Sequence, residues 1–375
     1  MRRRPAFHLG TAVAAMSPNH PHAWVFGPLP TRRLGWSLGI DTVPAKTCNW
    51  NCVYCQLGRT HPLTNTRRNP VPAREILAAV RARLRELPAD AVDWITFVAS
   101  GEGTLHRGIG WLIRAVKKLG SHPVAVITNG SLLHRADVRR ELAVADAVLP
   151  TLDAGDAALF QRINRPHRRL SFARHVAGLQ AFARLKRRGR LWIEVMLIAG
   201  LNDSDAALRR LAAVLARIRP DEVHVILPTR CPVETWVRPP PAARVRRATA
   251  ILGAKTKVSL PPFGPDRAID AADLVSVVTR HPLRHAELAR LLPDWPAARL
   301  TCRLRELRAT GRIRLVRRGG ATFITAATLR YPKHAFAGSP ATARASNASD
   351  AARLVYLAGA SATVTRISPR HSPAL

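Results

Sequence analysis

From about residue 37 to residue 262, short runs rich in β-forming residues alternate with amphipathic helical patterns. The helical patterns repeat apolar residues every three to four positions, as in residues 72–87 and in residues 204–218, which Ser204 precedes as a candidate cap. Such alternation is typical of a parallel sheet covered by helices. Six candidate strands are fewer than the eight of a closed barrel, so the pattern predicts an α/β fold with an open or partial barrel. These strands are Ser37–Val43, Asp93–Ala99, Val124–Thr128, Ala147–Leu152, Leu191–Ala199 and Glu222–Leu227.

A cluster of three cysteines follows the first candidate strand: Cys48, Cys52 and Cys55. In parallel α/β folds, ligand-binding groups lie at the carboxyl ends of the strands. Because a 4Fe–4S cluster normally takes four cysteines, three thiolates would leave one iron open to bind a further molecule. Two alternatives stay open at this point. The cysteines with His61 could form a structural zinc site, or they could be incidental core residues.

Polar residues also follow the later candidate strands. Glu102 lies between Gly101 and Gly103, where glycine lets the backbone approach a ligand and the carboxylate is a strong acceptor. Asn129 and Asp153 end the third and fourth strands, where turn chemistry alone would also place polar residues. An acidic residue inside an apolar strand is unfavourable unless it is paired or faces a polar cavity. The fifth candidate strand contains such an acidic residue, Glu194, and we therefore add it to the candidate site residues.

Residues 270–328 change in character, because three short helical patterns precede two β-runs around Arg317-Arg318-Gly319-Gly320. This order predicts a winged-helix-like domain, which could bind nucleic acid, dock a protein or serve as a substrate lid. The predicted helices are Asp270–Thr279, His285–Leu292 and Pro296–Ala309, and the predicted strands are Arg312–Val316 and Ala321–Thr325. The predicted organisation is a disordered or mis-assigned extension at 1–20 (with Met1 or Met16 as the start), a barrel at 21–266, the winged-helix-like domain at 270–328 and a disordered tail at 329–375.

Composition limits the class of protein. A net charge of +35 favours polyanionic partners, although a solvated basic surface explains the same charge. An odd count of five cysteines, three of them crowded together, indicates a metal site in a reducing cytoplasm rather than disulfides. Cys231 and Cys302 have no motif spacing, and we expect both to be ordinary buried thiols. No stretch approaches the ~20 consecutive apolar residues of a membrane span, so we expect a soluble protein.

The CxxxCxxC spacing, with Tyr54 just before the third cysteine, resembles the signature of the radical S-adenosylmethionine (SAM) superfamily. The resemblance implies a [4Fe–4S] cluster on the three cysteines and SAM chelated by the open iron. Reduction then cleaves SAM to methionine and a 5′-deoxyadenosyl radical, which is chemistry that the cofactors supply. The resemblance also implies that Glu102 binds the amino group of the methionine part of SAM. Tyr54, Gly101, Asn129, Asp153 and Glu194 complete the expected cofactor site.

Further segments resemble one subfamily of small cytosolic radical enzymes, related to the archaeal wyosine-base synthase that rebuilds a guanine in transfer RNA. They are Phe26–Pro30, Arg32–Gly35, Ser37–Asp41, Cys55–Gly58, Asp153–Phe160, Ile163–His167 and Pro228–Pro232, within residues 24–266. In the last segment Cys231 departs from the usual Arg-Pro-Pro. The sequence provides no electron donor of its own, so we expect an external one of the flavodoxin or ferredoxin type.

The leading functional hypothesis is therefore a radical SAM enzyme that acts on a tRNA base or another nucleic-acid substrate. A radical enzyme for a peptide or small molecule, and a non-catalytic zinc-stabilised nucleic-acid-binding protein, are the alternatives. All candidate cofactor residues precede residue 265, so we expect SAM cleavage to be independent of the chain beyond it. The substrate, the fate of SAM and the oligomeric state are left open.

Overall fold

The computed structural model describes residues 24–31, 33–256 and 274–332. Its main element is an eight-stranded sheet in which the strands follow one another in chain order. The first two strands pair antiparallel, and every later neighbouring pair is parallel. The strands are β1 (Val25–Thr31), β2 (Gly35–Ile40), β3 (Trp94–Phe97), β4 (Val124–Thr128), β5 (Ala147–Pro150), β6 (Arg190–Met196), β7 (Glu222–Ile226) and β8 (Lys255–Thr256).

Seven helices lie between or beside these strands, and three more follow them in the described part of the chain. Side-chain caps start several of them, and Ser204 accepts a hydrogen bond from the backbone N–H of Ala207 as its position predicts. The helices are α1 (Ala73–Glu86), α2 (Ile109–Lys117), α3 (Ala136–Leu142), α4 (Ala157–Asn164), α5 (Phe172–Arg184), α6 (Asp205–Ile218), α7 (Ala242–Leu252), α8 (Leu274–Arg280), α9 (His285–Leu291) and α10 (Ala297–Ala309).

Alternation along the strands divides the sheet into two faces. In β6, Leu191, Ile193 and Val195 are fully buried in the main core, which they form together with apolar residues of the helices. Successive strand residues point to opposite faces, so Trp192 and Glu194 point to the inner face. The helices therefore cover one face, and Trp192 on the inner face packs in a second, smaller apolar cluster, whose buried members are Leu34, Ala125, Ala147 and Leu149.

All six predicted strands are present, and the α/β class with a parallel sheet is confirmed. β1 and β8 were not predicted from the sequence. β1 contains Pro28 and Pro30, and it is an edge strand, where proline does not interrupt pairing on both sides. The other strand, β8, has only two residues.

Residues 274–332 contain α8, α9 and α10 followed by an antiparallel hairpin of β9 (Ile313–Arg318) and β10 (Ala321–Ala326). The predicted elements are thus present, and their assignment to the winged-helix class stays a prediction. Their core includes Phe26 and Leu29 of β1, so this segment packs on the edge of the large sheet. The predicted extension at 1–20 and most of the predicted tail lie outside the described residues. No helix in the described ranges has the length and apolarity needed to cross a membrane.

Candidate cluster and cofactor site

The three cysteines lie in the loop that follows β2, at the carboxyl end of the parallel strands. All three are free and half-buried. The loop is hydrogen-bonded to the end of α4: the backbone N–H of Val53 donates to the carbonyl of Ile163 over 2.9 Å. Trp50, nearly fully buried, packs edge-on against Phe160 with ring centroids 5.2 Å apart. The loop therefore has a fixed conformation although it contains no helix or strand.

Each thiol sulfur receives a hydrogen-bond donor. The backbone N–H of Trp50 lies 3.4 Å from Cys48, and the side-chain amide of Asn164 lies 3.7 Å from Cys52. The ammonium of Lys46 lies 3.1 Å from Cys55. Burial raises the pKa of the Cys48 thiol to about 12, so the free thiol is protonated and a metal must displace the proton on binding. Hydrogen bonds to sulfur are a feature of protein-bound iron–sulfur clusters, and the loop fits such a group.

The geometry does not favour the alternative of a single zinc ion. Within residues 24–31, 33–256 and 274–332, no three His, Cys, Asp or Glu side chains converge on one metal-ion position. His61, the predicted fourth zinc ligand, is exposed. A cubane cluster binds each thiolate through a different iron, so its ligands need not meet at one point. The three thiols therefore fit a cluster better than a zinc ion.

The carboxylate of Glu102 connects the ends of β3 and β4. It is 2% exposed and accepts four hydrogen bonds. One oxygen, Oε1, accepts from the N–H of Thr104 at 3.0 Å, from its hydroxyl at 2.5 Å and from the hydroxyl of Thr128 at 2.6 Å. The other oxygen, Oε2, accepts only from the N–H of Asn129 at 2.7 Å among the described residues. Since a carboxylate has about four acceptor positions, Oε2 keeps capacity for one further donor.

Glycine at position 101 allows this segment to approach the cysteine loop. A Cβ there would lie 2.0 Å from the carbonyl oxygen of Thr47. On either side, the N–H of Lys46 donates to Ser100 over 2.6 Å and the N–H of Glu102 donates to Thr47 over 2.8 Å. Gly101 thus allows a close backbone approach to the protein's own loop, and its predicted place in the cofactor site stays a prediction.

Asn129 joins the same network. Its side-chain amide donates to the side-chain oxygen of Asn49 over 2.7 Å and lies 3.9 Å from the sulfur of Cys48. Its side-chain oxygen accepts from the N–H of Ser131. The structure therefore brings Asn129 and Glu102 beside the first cysteine, as their positions at strand ends predict.

Asp153 and Tyr54 bind each other. The hydroxyl of Tyr54 donates to Asp153 over 2.7 Å, the amide of Asn164 donates to the same oxygen over 2.7 Å, and the N–H of Met196 donates to the other over 2.8 Å. Burial raises the pKa of the Asp153 carboxyl to about 6. Asn164 also contacts Cys52, so the hydrogen bonds that join Tyr54, Asp153 and Asn164 help to hold the cysteine loop in place.

Glu194 is buried and faces Arg33, whose Nε lies 2.7 Å from the carboxylate. Burial raises the pKa of Glu194, and the charge of Arg33 opposes that rise. The requirement that an acidic strand residue be paired is met here by an arginine from the β1–β2 turn. This ion pair lies on the inner face of the sheet.

Several residues of the site were not predicted from sequence. Lys46 and Asn164 donate to Cys55 and Cys52, and Asn164 was noticed only as part of the Ile163–His167 segment. Asp41 accepts hydrogen bonds from Ser100 and from Arg280 of α8, which is 239 positions away. No local pattern signals a contact of that kind, since it depends on how the distant segments pack.

The segment after residue 274 also contacts the cysteine loop. The hydroxyl of Tyr331 donates to the carbonyl of Gln56, and the N–H of Arg59 donates to Arg330 over 3.0 Å. Leu57 is buried in one cluster with Ala326 and Leu329, against which Cys55 and Tyr331 pack. The candidate site is therefore built partly from the chain beyond residue 265, which the sequence analysis treated as separate.

Of the two remaining cysteines, Cys231 is fully buried, as expected, between the segment after β7 and the β9–β10 hairpin. The expectation for Cys302 was wrong, because this residue is exposed. It lies on α10, which buries Leu300 and Leu307 on one side. Cys302 falls on the other side of the helix and remains in solvent.

Taken together, a helix-covered parallel sheet with a three-cysteine loop after its first parallel strand is an α/β fold with a candidate metal-cluster site. A model of the radical SAM superfamily matches residues 42–212. A UPF0026 protein of Methanocaldococcus jannaschii is 33% identical over 275 residues, covering 71% of this chain and 85% of that protein.

Two further relatives match over shorter spans. A protein named GTPase Obg, from Brachyspira hyodysenteriae, is 40% identical over 206 residues, covering 55% of this chain and only 30% of that protein's length. The dual-specificity RNA methyltransferase RlmN of Solidesulfovibrio magneticus is 29% identical over 221 residues, covering 56% of this chain and 59% of that protein.

The chain belongs to the radical SAM superfamily and, within it, to the UPF0026 proteins. The resemblance inferred from the cysteine spacing is thus confirmed, and the protein is a radical SAM enzyme. The superfamily's cofactors are a [4Fe–4S] cluster and SAM, and its members generally take electrons from an external reductant.

Proposed function

We propose that Cys48, Cys52 and Cys55 are the cluster ligands of this enzyme. When bound, the cluster and SAM would supply methionine and a 5′-deoxyadenosyl radical that abstracts hydrogen from the substrate. The observation that carries the proposal is the placement of three half-buried thiols in one fixed loop, each with a donor on its sulfur, beside the buried carboxylate of Glu102. The electron would come from a flavodoxin- or ferredoxin-type donor in the cytoplasm.

The chain's own residues divide into two groups under this proposal. Glu102 would bind the ammonium of SAM, because its Oε2 keeps one acceptor position. Asn129 would line the same region through its contacts with the first cysteine. Tyr54 and Asp153 are occupied with each other, so we assign them to orienting the loop through Asn164. Glu194, paired with Arg33, would fix the inner face of the sheet rather than contact SAM.

We further propose a nucleic-acid base as the substrate. Residues 274–332 contain twelve arginines and three acidic residues. Four of these arginines are exposed on α10 or just after it, and they form no ion pair with a described residue: Arg299, Arg305, Arg308 and Arg312. Exposed arginines attract the phosphate backbone, which is how a protein would hold RNA near the active site. The relative that is an RNA methyltransferase supports the same substrate class.

The cluster assignment is tested by anaerobic reconstitution. We expect about four irons and four sulfides per chain. We also expect 5′-deoxyadenosine and methionine to form when dithionite and SAM are added. Cys52→Ala should lose both the cluster and the cleavage activity. The matched control, Cys302→Ala, removes an exposed thiol on α10 and should retain both. A Cys52→Ala protein with full cleavage, or a colourless wild-type protein that contains zinc, would contradict the assignment.

The substrate class is tested by filter binding of RNA over several salt concentrations. Arg305→Gln/Arg308→Gln should weaken binding and reduce the slope of log affinity against log salt by ~0.7 to 0.9 for each phosphate that the variant no longer neutralises. The control with the same charge change is Arg74→Gln/Arg81→Gln, on the exposed side of α1. Equal slopes for wild type and the α10 variant would show that this helix does not contact RNA.

A further inference from the structure

Cys55 differs from the other two cysteines in the charge of its hydrogen-bond donor. The donors at Cys48 and Cys52 are uncharged: the backbone N–H of Trp50 and the amide of Asn164, with the amide of Asn129 farther away. At Cys55 the donor is the ammonium of Lys46, with Nζ 3.1 Å from the sulfur. One of the three proposed cluster ligands thus accepts a hydrogen bond from a positively charged side chain.

The backbone at Lys46 has a conformation in which glycine would be the usual residue. Its φ is 63°, in the left-handed region that residues with a Cβ seldom adopt and that glycine adopts without steric strain. The conformation is held by the N–H of Lys46, which donates to Ser100 over 2.6 Å, and by the next N–H, which donates to Pro44 over 3.0 Å. Residues kept in such conformations concentrate at functional sites.

The surroundings favour a strong effect of this charge. Lys46 and Cys55 are both half-buried. Apolar side chains of Leu57, Ala326 and Leu329 pack beside Cys55 and reduce its contact with water. Charge–charge interactions strengthen as water is excluded, so the ammonium acts on the sulfur more strongly than at an exposed site.

We propose that Lys46 is a positioning residue that sets the reduction potential of the cluster. The inference rests on the proposed function, since it requires the cluster to be bound through Cys55. One electron passes from the external donor to the oxidised cluster and makes it more negative, with no bond formed or broken in this step. A fixed positive charge beside a ligand sulfur stabilises the reduced form and raises the potential, because net charge and hydrogen bonds to sulfur set the potentials of such clusters.

The test compares three substitutions of one residue in the reconstituted full-length protein. Lys46→Gln removes the charge, Lys46→Arg keeps it, and Lys46→Gly removes it while relaxing the backbone. Midpoint potentials are measured by anaerobic redox titration, followed by visible absorbance and by the electron spin resonance of the reduced cluster. Lys117→Gln is the control, because Lys117 lies on α2 and pairs with Asp146.

We expect Lys46→Gln and Lys46→Gly to shift the midpoint downward by at least about 59 mV, which is a tenfold change in a one-electron equilibrium. Lys46→Arg should stay near wild type, and Lys117→Gln should be unchanged. A purely structural role predicts instead that Lys46→Gly, with its relaxed backbone, keeps the wild-type potential.

The outcomes separate this inference from the proposed function. If wild-type protein binds no cluster, or if Cys52→Ala binds one equally well, the proposed function fails. If the cluster loads fully and Lys46→Gln has the wild-type midpoint, only the role of Lys46 is overturned. Should Lys46→Gln load too little iron to titrate, the comparison of Lys46→Arg with Lys46→Gly decides, and equal midpoints in these two overturn the inference.

Discussion

Replacing Glu102 with alanine tests whether this carboxylate is a structural centre as well as a cofactor ligand. The change removes the acceptor of two backbone N–H groups, those of buried Thr104 and half-buried Asn129. It also removes the acceptor of the hydroxyls of Thr104 and Thr128, which can rotate toward other acceptors. A buried donor left without a partner costs ~1–3 kcal/mol. Loss of the carboxylate should therefore lower the free energy of unfolding by ~1–3 kcal/mol at buried Thr104 and by a smaller amount at half-buried Asn129. This loss is substantial against the ~5–15 kcal/mol typical of a folded domain.

The assay is urea unfolding of the cluster-free protein, followed by far-ultraviolet circular dichroism. Glu75→Ala is the control, because Glu75 is exposed in the first turn of α1 and its loss should change the free energy by less than ~1 kcal/mol. A Glu102→Ala protein within ~1 kcal/mol of wild type would refute the structural role. In the folded variant we expect calorimetry to show SAM binding weakened by ~1.5–3 kcal/mol, since a charge-assisted bond is removed.

Three further predictions follow from the site. Gly101→Ala places a Cβ against Thr47 and should lower the iron bound per chain in reconstitution. Gly120→Ala should not, because its Cβ would meet only the His122 ring at an ordinary contact distance of 3.8 Å. Burial lowers the pKa of His175 from 6.5 to about 4, so the unfolded state takes up the proton first as the pH falls. The free energy of unfolding should thus be ~2 kcal/mol lower at pH 5 than above pH 6.5. Urea titrations at pH 7 and pH 5 should show this difference in wild type and not in His175→Gln. Tyr331→Ala should speed the decay of the cluster absorbance in air, because it uncovers Cys55; an unchanged decay rate would argue against shielding by this segment.

Much of the fold could be predicted from sequence because its signals are local. Strands and helices follow from periodicity, and six strands were placed within a few residues of their observed bounds. The cysteine motif and the residues at strand ends could be predicted to meet, because parallel strands all end at the same edge of the sheet. Glu102 and Asn129 lie beside Cys48 for this reason. The order of helices and strands after residue 274 could also be predicted, because it depends on the same local patterns.

What each side chain does at that edge was decided by tertiary packing. The sequence did not reveal that Glu102 is bound by four donors, that Tyr54 and Asp153 occupy each other, or that Arg33 pairs with Glu194. It also could not link Arg280 to Asp41 across 239 positions or bring Tyr331 onto the cysteine loop. The physical reason is that periodicity and spacing constrain only neighbours along the chain. Hydrogen-bond partners and burial depend on which distant segments pack together, so the charge beside Cys55 and the cover over it become visible only in the folded molecule.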